Sequence, residues 1–315
     1  MKLLILAAGL GSRFGGLKQL AAVGPSGESL PEYNIYDAMR AGFSGIVLLI
    51  RRGMEDELSA ALLSRLPEDI AIELAYQDSE AFVPEHLKAY IDKAGRRKPW
   101  GTAHALLCAS QRLQDGPFAV MNGDDFYGRK GLTAVQAHMS SRYHGSPGEA
   151  IECCLAGYSL WGVLPPSGQV SRAACAVDSL GYLREIKEHK AVERRGNLCV
   201  ATEPSGEELL LDPGIPISMN LWGLGPELFD WLEEHFKEFV SDPEHWASGE
   251  FYLPEAMGRI MRSGRAKYRV LPVQEEYFGL TNPDDLAQAR AAARERHGRG
   301  EYPTPLWSSG SGRVI

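Results

Sequence analysis

The first 125 residues alternate short apolar runs with longer segments of helical periodicity, and this alternation constrains the fold more than any other feature. Continuous aliphatic runs at KLLILA (2–7) and GIVLLI (45–50) are typical of strands buried on both faces. The segment between them, PEYNIYDAMRAGF, spaces its apolar residues as a helix does and ends near Gly42. A strand, a helix and a second strand in succession predict a parallel sheet with helices on its faces.

The β-α succession continues to about residue 125 and then changes character. It includes a helix over 54–65, a strand at IAIELAYQ, a helix over TAHALLCASQRL and a strand at PFAVMN. The second half contains strands separated by Gly, Pro and Asp, which is more typical of a mixed or antiparallel sheet. These strands are ECCLAGYSLWGV, GYLREIKEH, NLCVA, ELLLD and PISMNLWGL.

Helices dominate the last third of the predicted pattern. Two helices cover PELFDWLEEHFKEFV and LPEAMGRIMRSG, followed by a strand at YRVLPV and a last helix from Pro283. The tail EYPTPLWSSGSGRVI is rich in Pro, Ser and Gly, so we expect it to drape over the surface or to be disordered.

The charge balance and the length of the apolar runs exclude several classes of protein. With 33 Lys+Arg against 41 Asp+Glu, the formal charge of -8 argues against a nucleic-acid binder or a membrane-surface binder. No stretch approaches the roughly 18 apolar residues of a membrane span, and MKLLILAAG does not resemble a secretory signal. The five cysteines lack CxxC spacing, which argues against a disulfide framework or a zinc site. The expected location is a reducing cytoplasm.

The loop LAAGLGSRFGGLK (6–18) follows the first predicted strand. A glycine-rich turn after a strand exposes several backbone N–H groups, and its glycines let a phosphate chain approach closely. A P-loop requires Ser or Thr after its lysine, but Lys18 is followed by Gln19. The loop is therefore a candidate phosphate site that does not follow the P-loop pattern, and a purely structural turn stays an alternative.

The same loop matches the dinucleotide-binding pattern only in part. Gly9 and Gly11 fit GxGxxG, but Phe14 occupies the third glycine position. The second predicted strand ends in Arg51 and Arg52, where an acidic residue would bind the ribose of NAD. Only an NADP-dependent oxidoreductase stays open as an alternative of this class.

The segment AVMNGDDFYG (119–128) places carboxylates where a predicted strand ends. The carboxyl ends of strands in open α/β sheets are where ligands bind. Asn-Gly is also a strong hairpin signal, but Asp124 and Asp125 are a poor start for a partner strand. The pattern therefore favours a ligand-binding turn.

These motifs together resemble the GT-A-like nucleotidyltransferase superfamily, in particular the sugar-1-phosphate nucleotidyltransferases (NDP-sugar pyrophosphorylases). The resemblance rests first on an opening of the form LAAGxGxRxGxxK, matched by Gly9, Gly11, Arg13, Gly15 and Lys18. It implies that the loop, with Ala8, wraps the triphosphate of an NTP, that Arg13 holds the β and γ phosphates and that Lys18 reaches the α phosphate. Fixed positive charge at these phosphates stabilises departing pyrophosphate.

The resemblance extends to a base-reading segment and a metal ligand. PWGTAHAL is similar to the family segment in which a Gly-Thr pair and an earlier glutamine read the base, which implies Gly101, Thr102 and Gln77. Thr102 as a helix cap is the alternative. The resemblance implies that Asp124 binds Mg²⁺ through a hard oxygen ligand, and that Asp125 either joins through water or orients the turn.

The sugar side and the second metal ligand depart further from the family pattern. REIKEH places Glu188 at the sugar-binding acid, with His189 at the expected lysine and Lys190 next to it, and SMNLWGLGPELF places Asn220 at the sugar-binding asparagine. In FGLTNPDDL, Gly279 stands where many members have a metal-binding aspartate. Asn282 is then a candidate ligand, although Asn-Pro-Asp-Asp is also a good helix start.

The sequence therefore predicts an α/β protein with a GT-A/Rossmann-like three-layer sandwich, a mostly parallel central sheet and a mixed β insertion in the second half. The predicted nucleotidyltransferase domain covers 1–290, with a nucleotide half at about 1–130, a sugar half at about 131–290 and a tail at 291–315. The predicted function joins an NTP, with UTP or dTTP favoured, to a sugar 1-phosphate with the help of Mg²⁺.

Three alternatives stay open at this point. The short spacing from Arg13 to Lys18 favours cytidylyl or other nucleotidyl transfer to a non-sugar phosphate. A non-catalytic nucleotide sensor and the NADP-dependent oxidoreductase belong to different classes. The sequence names neither the sugar nor the base, and it is compatible with a homo-oligomer.

Overall fold

A computed structural model describes residues 1–9, 20–96, 98–143, 150–280 and 285–307. The elements of the first half alternate between strands and helices, as the sequence predicts. They are β1 (Lys2–Leu6), α1 (Leu30–Arg40), β2 (Gly45–Ile50), α2 (Glu55–Ala61), β3 (Ile72–Tyr76), α3 (Glu85–Lys93), α4 (Thr102–Cys108), β4 (Phe118–Asn122), β5 (Asp125–Phe126) and α5 (Gly128–Arg142).

The second half begins with a run of strands and ends with helices. Its elements are β6 (Ile151–Ser159), α6 (Leu160–Val163), β7 (Val170–Val177), β8 (Leu183–Arg195), β9 (Leu198–Thr202), β10 (Glu208–Leu211), β11 (Pro216–Leu224), α7 (Leu228–Ser241), α8 (Leu253–Arg262), β12 (Ala266–Val273), β13 (Phe278–Gly279) and α9 (Asp285–Gly298). None of the helices in the described part of the chain has the length and apolar character to cross a membrane.

Eleven strands form one sheet that crosses both halves, and β5 and β13 form a separate pair. The main path runs β10-β9-β8-β7-β11-β4-β1-β2-β3, with β6 paired to β11 and β12 paired to β6. Strands β3, β2, β1 and β4 are mutually parallel, whereas β7 to β11 pair antiparallel. The predicted change from a parallel to a mixed sheet is confirmed.

The central strands are buried on both faces, which explains their continuous aliphatic sequences. Every residue of β2 is buried. Ile46, Leu48 and Ile50 belong to the core that includes residues of α1, α2 and α5, whereas Val47 and Leu49 belong to the core that includes residues of α4, α7 and α8. Because successive side chains of a strand point to opposite faces, the two cores lie on opposite sides of the sheet. The predicted three-layer α/β sandwich is confirmed.

A capping box formed by Ser29 and Glu32 lies at the start of α1. The backbone N–H of Ser29 donates to Oε2 of Glu32 at 2.8 Å, and Pro31 lies in the first turn. Glu32 is buried and also accepts from Nε of Arg65 at 3.0 Å. The bond from Ser29 satisfies a backbone N–H at the start of the helix, and Arg65 balances the charge of the buried Glu32 carboxylate.

Several elements differ from the sequence prediction. The sequence prediction did not include α3, α5, β5, β7 or β13. Asp125 begins β5, which pairs with β13 and not with β4. The predicted strand ECCLAGYSLWGV ends at Ser159, and its last part forms the short helix α6 because the hydroxyl of Ser159 accepts from the N–H of Gly162. The segment is apolar because it is buried, and both a buried strand and a buried helix are apolar. A short apolar run therefore does not distinguish a strand from a helix.

The start of the C-terminal tail is packed against α1 and is not a loose surface segment. Tyr302 and Leu306 are buried with Tyr33 and Phe126 in a third core. The hydroxyl of Tyr302 donates to Oδ2 of Asp37 at 2.6 Å, and both groups are buried. Of the two alternatives expected for the tail, disorder is wrong for 301–307, which lies against the rest of the protein with Tyr302 and Leu306 buried. Residues 308–315 lie outside the described residues.

Candidate active site

A cavity of about 1000 Å³ opens at the carboxyl ends of the parallel strands. Its floor includes Leu6, Leu49 and Asn122, which are register partners at the ends of β1, β2 and β4. The predicted site residues that line it are Ala8, Gly9, Gln77, Gly101, Thr102, Asp124, Glu188 and Asn220. Residues that are separated by more than 200 positions in the sequence thus meet in one space, at the sheet edge where α/β proteins bind ligands.

Gln77 and Gly101 form the wall at the end of β3. The side-chain Nε2 of Gln77 donates to the carbonyl oxygen of Gly101 at 3.3 Å. Gly101 has a φ of 102°, and a Cβ at this position would lie 2.8 Å from the carbonyl oxygen of Phe251. The hydroxyl of Thr102 accepts from the backbone N–H of Leu253 at 2.9 Å. The alternative that Thr102 caps its own helix is therefore wrong, because its hydroxyl caps α8.

The turn after β4 carries the two aspartates of NGDD. The backbone N–H of Gly123 donates to the carbonyl oxygen of Leu6 at 2.9 Å, which ties this turn to the start of the glycine loop. The carbonyl oxygen of Asp124 accepts from the N–H of Leu280 at 2.9 Å. Asp124 and Asp125 both line the cavity. The sequence prediction that carboxylates face the ligand-binding edge is confirmed for these described residues.

The carboxyl group of Asp125 is buried and held by hydrogen bonds. Its Oδ2 accepts from Nδ2 of Asn122 at 2.9 Å, and the hydroxyl of Tyr277 also donates to the carboxylate. Burial raises the pKa of Asp125, and the neighbouring charge of Asp124 raises it further. Asn34 fixes the backbone by donating from Nδ2 to the carbonyl oxygen of Asp125 at 2.7 Å. The side chain thus has one fixed position in the cavity wall.

An irregular stretch of β11 forms the opposite wall. This strand pairs with β7 at 217–218 and with β4 at 222–224, and its register with β6 shifts between Ser218 and Trp222. Asn220 lies in this bulge with a φ of 64°, a conformation that asparagine adopts more readily than most residues. The hydroxyl of Tyr127 donates to the carbonyl oxygen of Met219 at 2.6 Å. The bulge therefore places Asn220 at the cavity, and its contact with the sugar stays a prediction.

Strand β8 brings Glu188 into the cavity but not Lys190. Ile186 and Glu188 are two residues apart and line the cavity together, as residues on one face of a strand do. The pairing of β7 with β8 shifts between Val170 and Arg172, which adds one residue to β8 next to His189. The predicted contact of Lys190 with the sugar phosphate stays a prediction.

Helix α8 and the segment before it supply cavity residues that the sequence analysis missed. The set comprises Glu250, Tyr252, Pro254, Glu255, Gly258, Arg259 and Arg262, together with Lys98 from the segment before α4. Pro254, Gly258 and Arg262 are four residues apart, so helical spacing was the signal that could have identified this face. Burial raises the pKa of Glu255, and the charge of Glu188 adds to this effect. This side of the cavity thus contains both carboxylates and guanidinium groups.

Four of the predicted site residues lie outside the described residues. They are Gly11, Arg13, Lys18 and Asn282. Gly9, which precedes the first three, lines the cavity. Their assignments therefore stay predictions.

Comparison with known proteins gives relatives of one enzyme class. No family model matches the chain. The chain is 26% identical over 278 residues to a UTP–glucose-1-phosphate uridylyltransferase of Staphylococcus haemolyticus, covering 82% of this chain and 81% of that protein.

Solved structures with other nucleotide specificities in their names share the fold. A putative glucose-1-phosphate thymidylyltransferase from Bacillus anthracis has a TM-score of 0.61 at 16% identity, covering 94% of this chain and 96% of that one. The inositol-1-phosphate CTP transferase from T. maritima has a TM-score of 0.59 at 13% identity, covering 93% and 96%. The comparisons confirm the resemblance to sugar-1-phosphate nucleotidyltransferases that the motifs predict.

Proposed function

We propose that this chain is a sugar-1-phosphate nucleotidyltransferase, which joins an NTP to a sugar 1-phosphate and releases pyrophosphate. The observation that carries the proposal is the single cavity that gathers Gln77, Asp124, Glu188 and Asn220. Gln77 lies at the predicted base-reading wall, whereas Glu188 and Asn220 lie on the wall built from the second half of the chain. Two substrates could therefore bind side by side, with their phosphates meeting near Asp124.

The proposed reaction requires no protein nucleophile. An oxygen of the sugar 1-phosphate attacks the α phosphorus of the NTP, a new P–O bond forms, and the bond to the leaving pyrophosphate breaks. The attacking phosphate is already ionised at neutral pH, because the second pKa of a phosphate monoester is about 6. Catalysis then depends on alignment of the two phosphates and on stabilisation of their charge. We assign this charge stabilisation to Arg13 and Lys18.

The donor set at the end of β4 fits a hard divalent cation. Asp124 offers carboxylate oxygens to the cavity, and such oxygens are the ligands that Mg²⁺ prefers. Within the described ranges, no group of three or more His, Cys, Asp or Glu side chains could hold a metal. We therefore propose that phosphate oxygens of the substrates complete the coordination. Mg²⁺ bound there would neutralise phosphate charge.

The base and the sugar are the finer part of the proposal. We favour UTP or dTTP, because the relative from Staphylococcus haemolyticus is a uridylyltransferase and the Bacillus anthracis neighbour is a putative thymidylyltransferase. Cytidylyl transfer to a non-sugar phosphate is the second candidate, supported by the short spacing from Arg13 to Lys18 and by the likeness to an inositol-1-phosphate CTP transferase. A cytoplasmic location is supported by the five free cysteines.

A pyrophosphate-release screen tests the proposal. It combines UTP, dTTP, CTP, GTP and ATP with glucose 1-phosphate, other hexose 1-phosphates and inositol 1-phosphate, each with and without Mg²⁺. We expect Mg²⁺-dependent release with UTP or dTTP and a hexose 1-phosphate. Release only with CTP and inositol 1-phosphate would select the second candidate. NTP binding without turnover for every acceptor would contradict the enzyme and favour a nucleotide sensor.

A further inference from the structure

Strands β5 and β13 bring Asp125 directly opposite Gly279. The two residues are register partners in an antiparallel pair, next to the pair Phe126 and Phe278. The rings of these phenylalanines stack with centroids 4.5 Å apart and planes 5° from parallel. The pair is therefore held by backbone pairing and by a buried aromatic contact, which fixes the separation of Asp125 and Gly279.

The carboxylate of Asp125 occupies the volume where a side chain of residue 279 would begin. A Cβ added to Gly279 would overlap Oδ1 of Asp125, and the next nearest atom outside Asp125 would be the Tyr277 hydroxyl oxygen at 3.4 Å. Side chains that face each other across an antiparallel pair reach the same region of space. A side chain on residue 279 would therefore displace the carboxylate of Asp125 from its present position.

The hydrogen bonds of Asp125 orient its carboxylate without using all of its acceptor positions. Asn122 and Tyr277 donate to it, and both of these residues line the cavity. An ionised carboxylate can accept about four hydrogen bonds or metal contacts. Arg172 also interacts electrostatically with Asp125, but its guanidinium donates to the carbonyl oxygens of Val163 and Ser171.

We propose that Asp125 is a direct ligand of a divalent cation together with Asp124, and that glycine at position 279 leaves room for this ligand. The proposal rests on the proposed function for the identity of the reaction, but it concerns the cation alone. Carboxylates of consecutive residues in one cavity repel each other, and a divalent cation between them converts this repulsion into attraction. The inference replaces Asn282 as the second protein ligand and gives Asp125 a role beyond orienting the turn.

Binding of Mn²⁺ alone tests the proposal without turnover. We would titrate Mn²⁺ into the full chain and follow the free ion by electron paramagnetic resonance. The wild type should bind one Mn²⁺, and Asp125→Asn should weaken this binding by at least about tenfold, since losing even an outer-shell partner of a metal ligand costs about 10- to 100-fold in affinity. Asp56→Asn is the matched control, because Asp56 is exposed on α2, and it should bind as the wild type does.

A relocated carboxylate provides the sharper test. Asp125→Ala should bind Mn²⁺ as weakly as Asp125→Asn, and the double variant Asp125→Ala with Gly279→Asp should recover most of the affinity. The single variant Gly279→Asp should be destabilised, because its Cβ overlaps Asp125. Circular dichroism establishes that each compared variant is folded.

Three results would overturn the proposal. They are the absence of Mn²⁺ binding by the wild type, wild-type affinity in a folded Asp125→Asn variant, and a folded double variant that binds no better than Asp125→Ala. The screen could show no pyrophosphate release while the wild type still binds Mn²⁺ in a way that depends on Asp125. That combination would reject the proposed function and support the cation site.

Discussion

At the scale of single residues, Asp124 is the position on which the proposed chemistry depends most. We expect Asp124→Asn to lower metal-dependent pyrophosphate release by at least about 100-fold, because an amide removes the negative charge that attracts the cation. The variant should stay folded, since the backbone bond from Leu280 to the carbonyl oxygen of Asp124 does not involve the side chain. Pyrophosphate release and thermal unfolding measure the two effects. Full activity in the variant would reject the metal assignment.

His104 gives a pH-dependent prediction at the same scale. Its ring is buried on α4, and Nε2 lies 3.0 Å from the carbonyl oxygen of Ala81, to which the neutral ring donates. Burial lowers the pKa of His104 from 6.5 to about 4. Between these values the unfolded chain binds a proton that the folded chain does not bind. The free energy of unfolding should therefore fall by about 1.4 kcal/mol per pH unit as the pH decreases from about 6.5 towards about 4.

The variant His104→Gln removes this titration and keeps an N–H donor. Urea unfolding at several pH values between 4 and 7 should show a shallower decrease in its free energy of unfolding than in that of the wild type. His86→Gln is the control, because His86 is exposed. Equal slopes for His104→Gln and the wild type would show that burial of His104 does not control acid stability.

At the scale of elements, Gly101 joins the start of α4 to the segment that leads into α8. Its φ of 102° and the position of Phe251 both exclude a side chain. We expect Gly101→Ala to destabilise the fold on the order of 3 kcal/mol, because backbone strain and the overlap with a backbone oxygen act together. NTP binding should weaken as well, since the wall that includes Gln77 must shift.

The variant Gly206→Ala separates the effect of backbone strain from the effect of the overlap with Phe251. Gly206 has a φ of 86°, but nothing lies within 4 Å of its added Cβ. It should therefore show only the strain of about 1–2 kcal/mol. Thermal unfolding and the quenching of tryptophan fluorescence by UTP measure stability and binding. Equal effects of the two substitutions would contradict a specific role for the contact with Phe251.

At the scale of the whole molecule, the C-terminal segment is packed against α1. Tyr302 donates to Asp37, which also pairs with Nε of Arg129 at 3.2 Å. Burial raises the pKa of Asp37 to about 6, and the hydrogen bond from Tyr302 acts in the opposite direction. Above about pH 6 the carboxylate is charged, so loss of the hydroxyl group should cost most there.

Tyr302→Phe should lower the free energy of unfolding by about 2 kcal/mol at pH 8 and by less at pH 5, as expected for a hydrogen bond to a charged group. The loss is larger at pH 8 because the Tyr302 hydroxyl stabilises the charged carboxylate of Asp37. At pH 5 this carboxyl group is protonated in the folded state, so the hydroxyl contributes less. Tyr36→Phe is the control, since the Tyr36 hydroxyl makes an exposed bond with Arg40. Urea unfolding at both pH values is the measurement, and an equal loss at the two pH values would exclude a role for the charge.

The predicted division at about residue 130 is not tested by the fold, because one sheet runs through both halves. Strand β4 from the first half pairs with β11 from the second half at Trp222–Val120 and the two neighbouring positions. The domain boundaries, and assembly into a homo-oligomer, therefore stay predictions.

The sequence by itself determined the strands of the parallel core and, among the described residues, the turn that follows β4. Strand β2 has the predicted bounds, and NGDD lies at the sheet edge as expected, because continuous aliphatic runs and Asn-Gly-Asp turns are local signals. It also indicated Glu188 and Asn220, which line the cavity, through their resemblance to family motifs.

Only the tertiary structure decided how distant segments meet. The face of α8 lines the cavity, the hydroxyl of Thr102 caps a helix about 150 residues away, and the carboxylate of Asp125 fills the place of a side chain on Gly279. These relations depend on strand pairing and on packing between residues far apart in the chain, and a local pattern carries no information about such contacts. Short sequence motifs thus predict which chemical groups the site contains, whereas the folding of the whole chain determines how these groups are arranged.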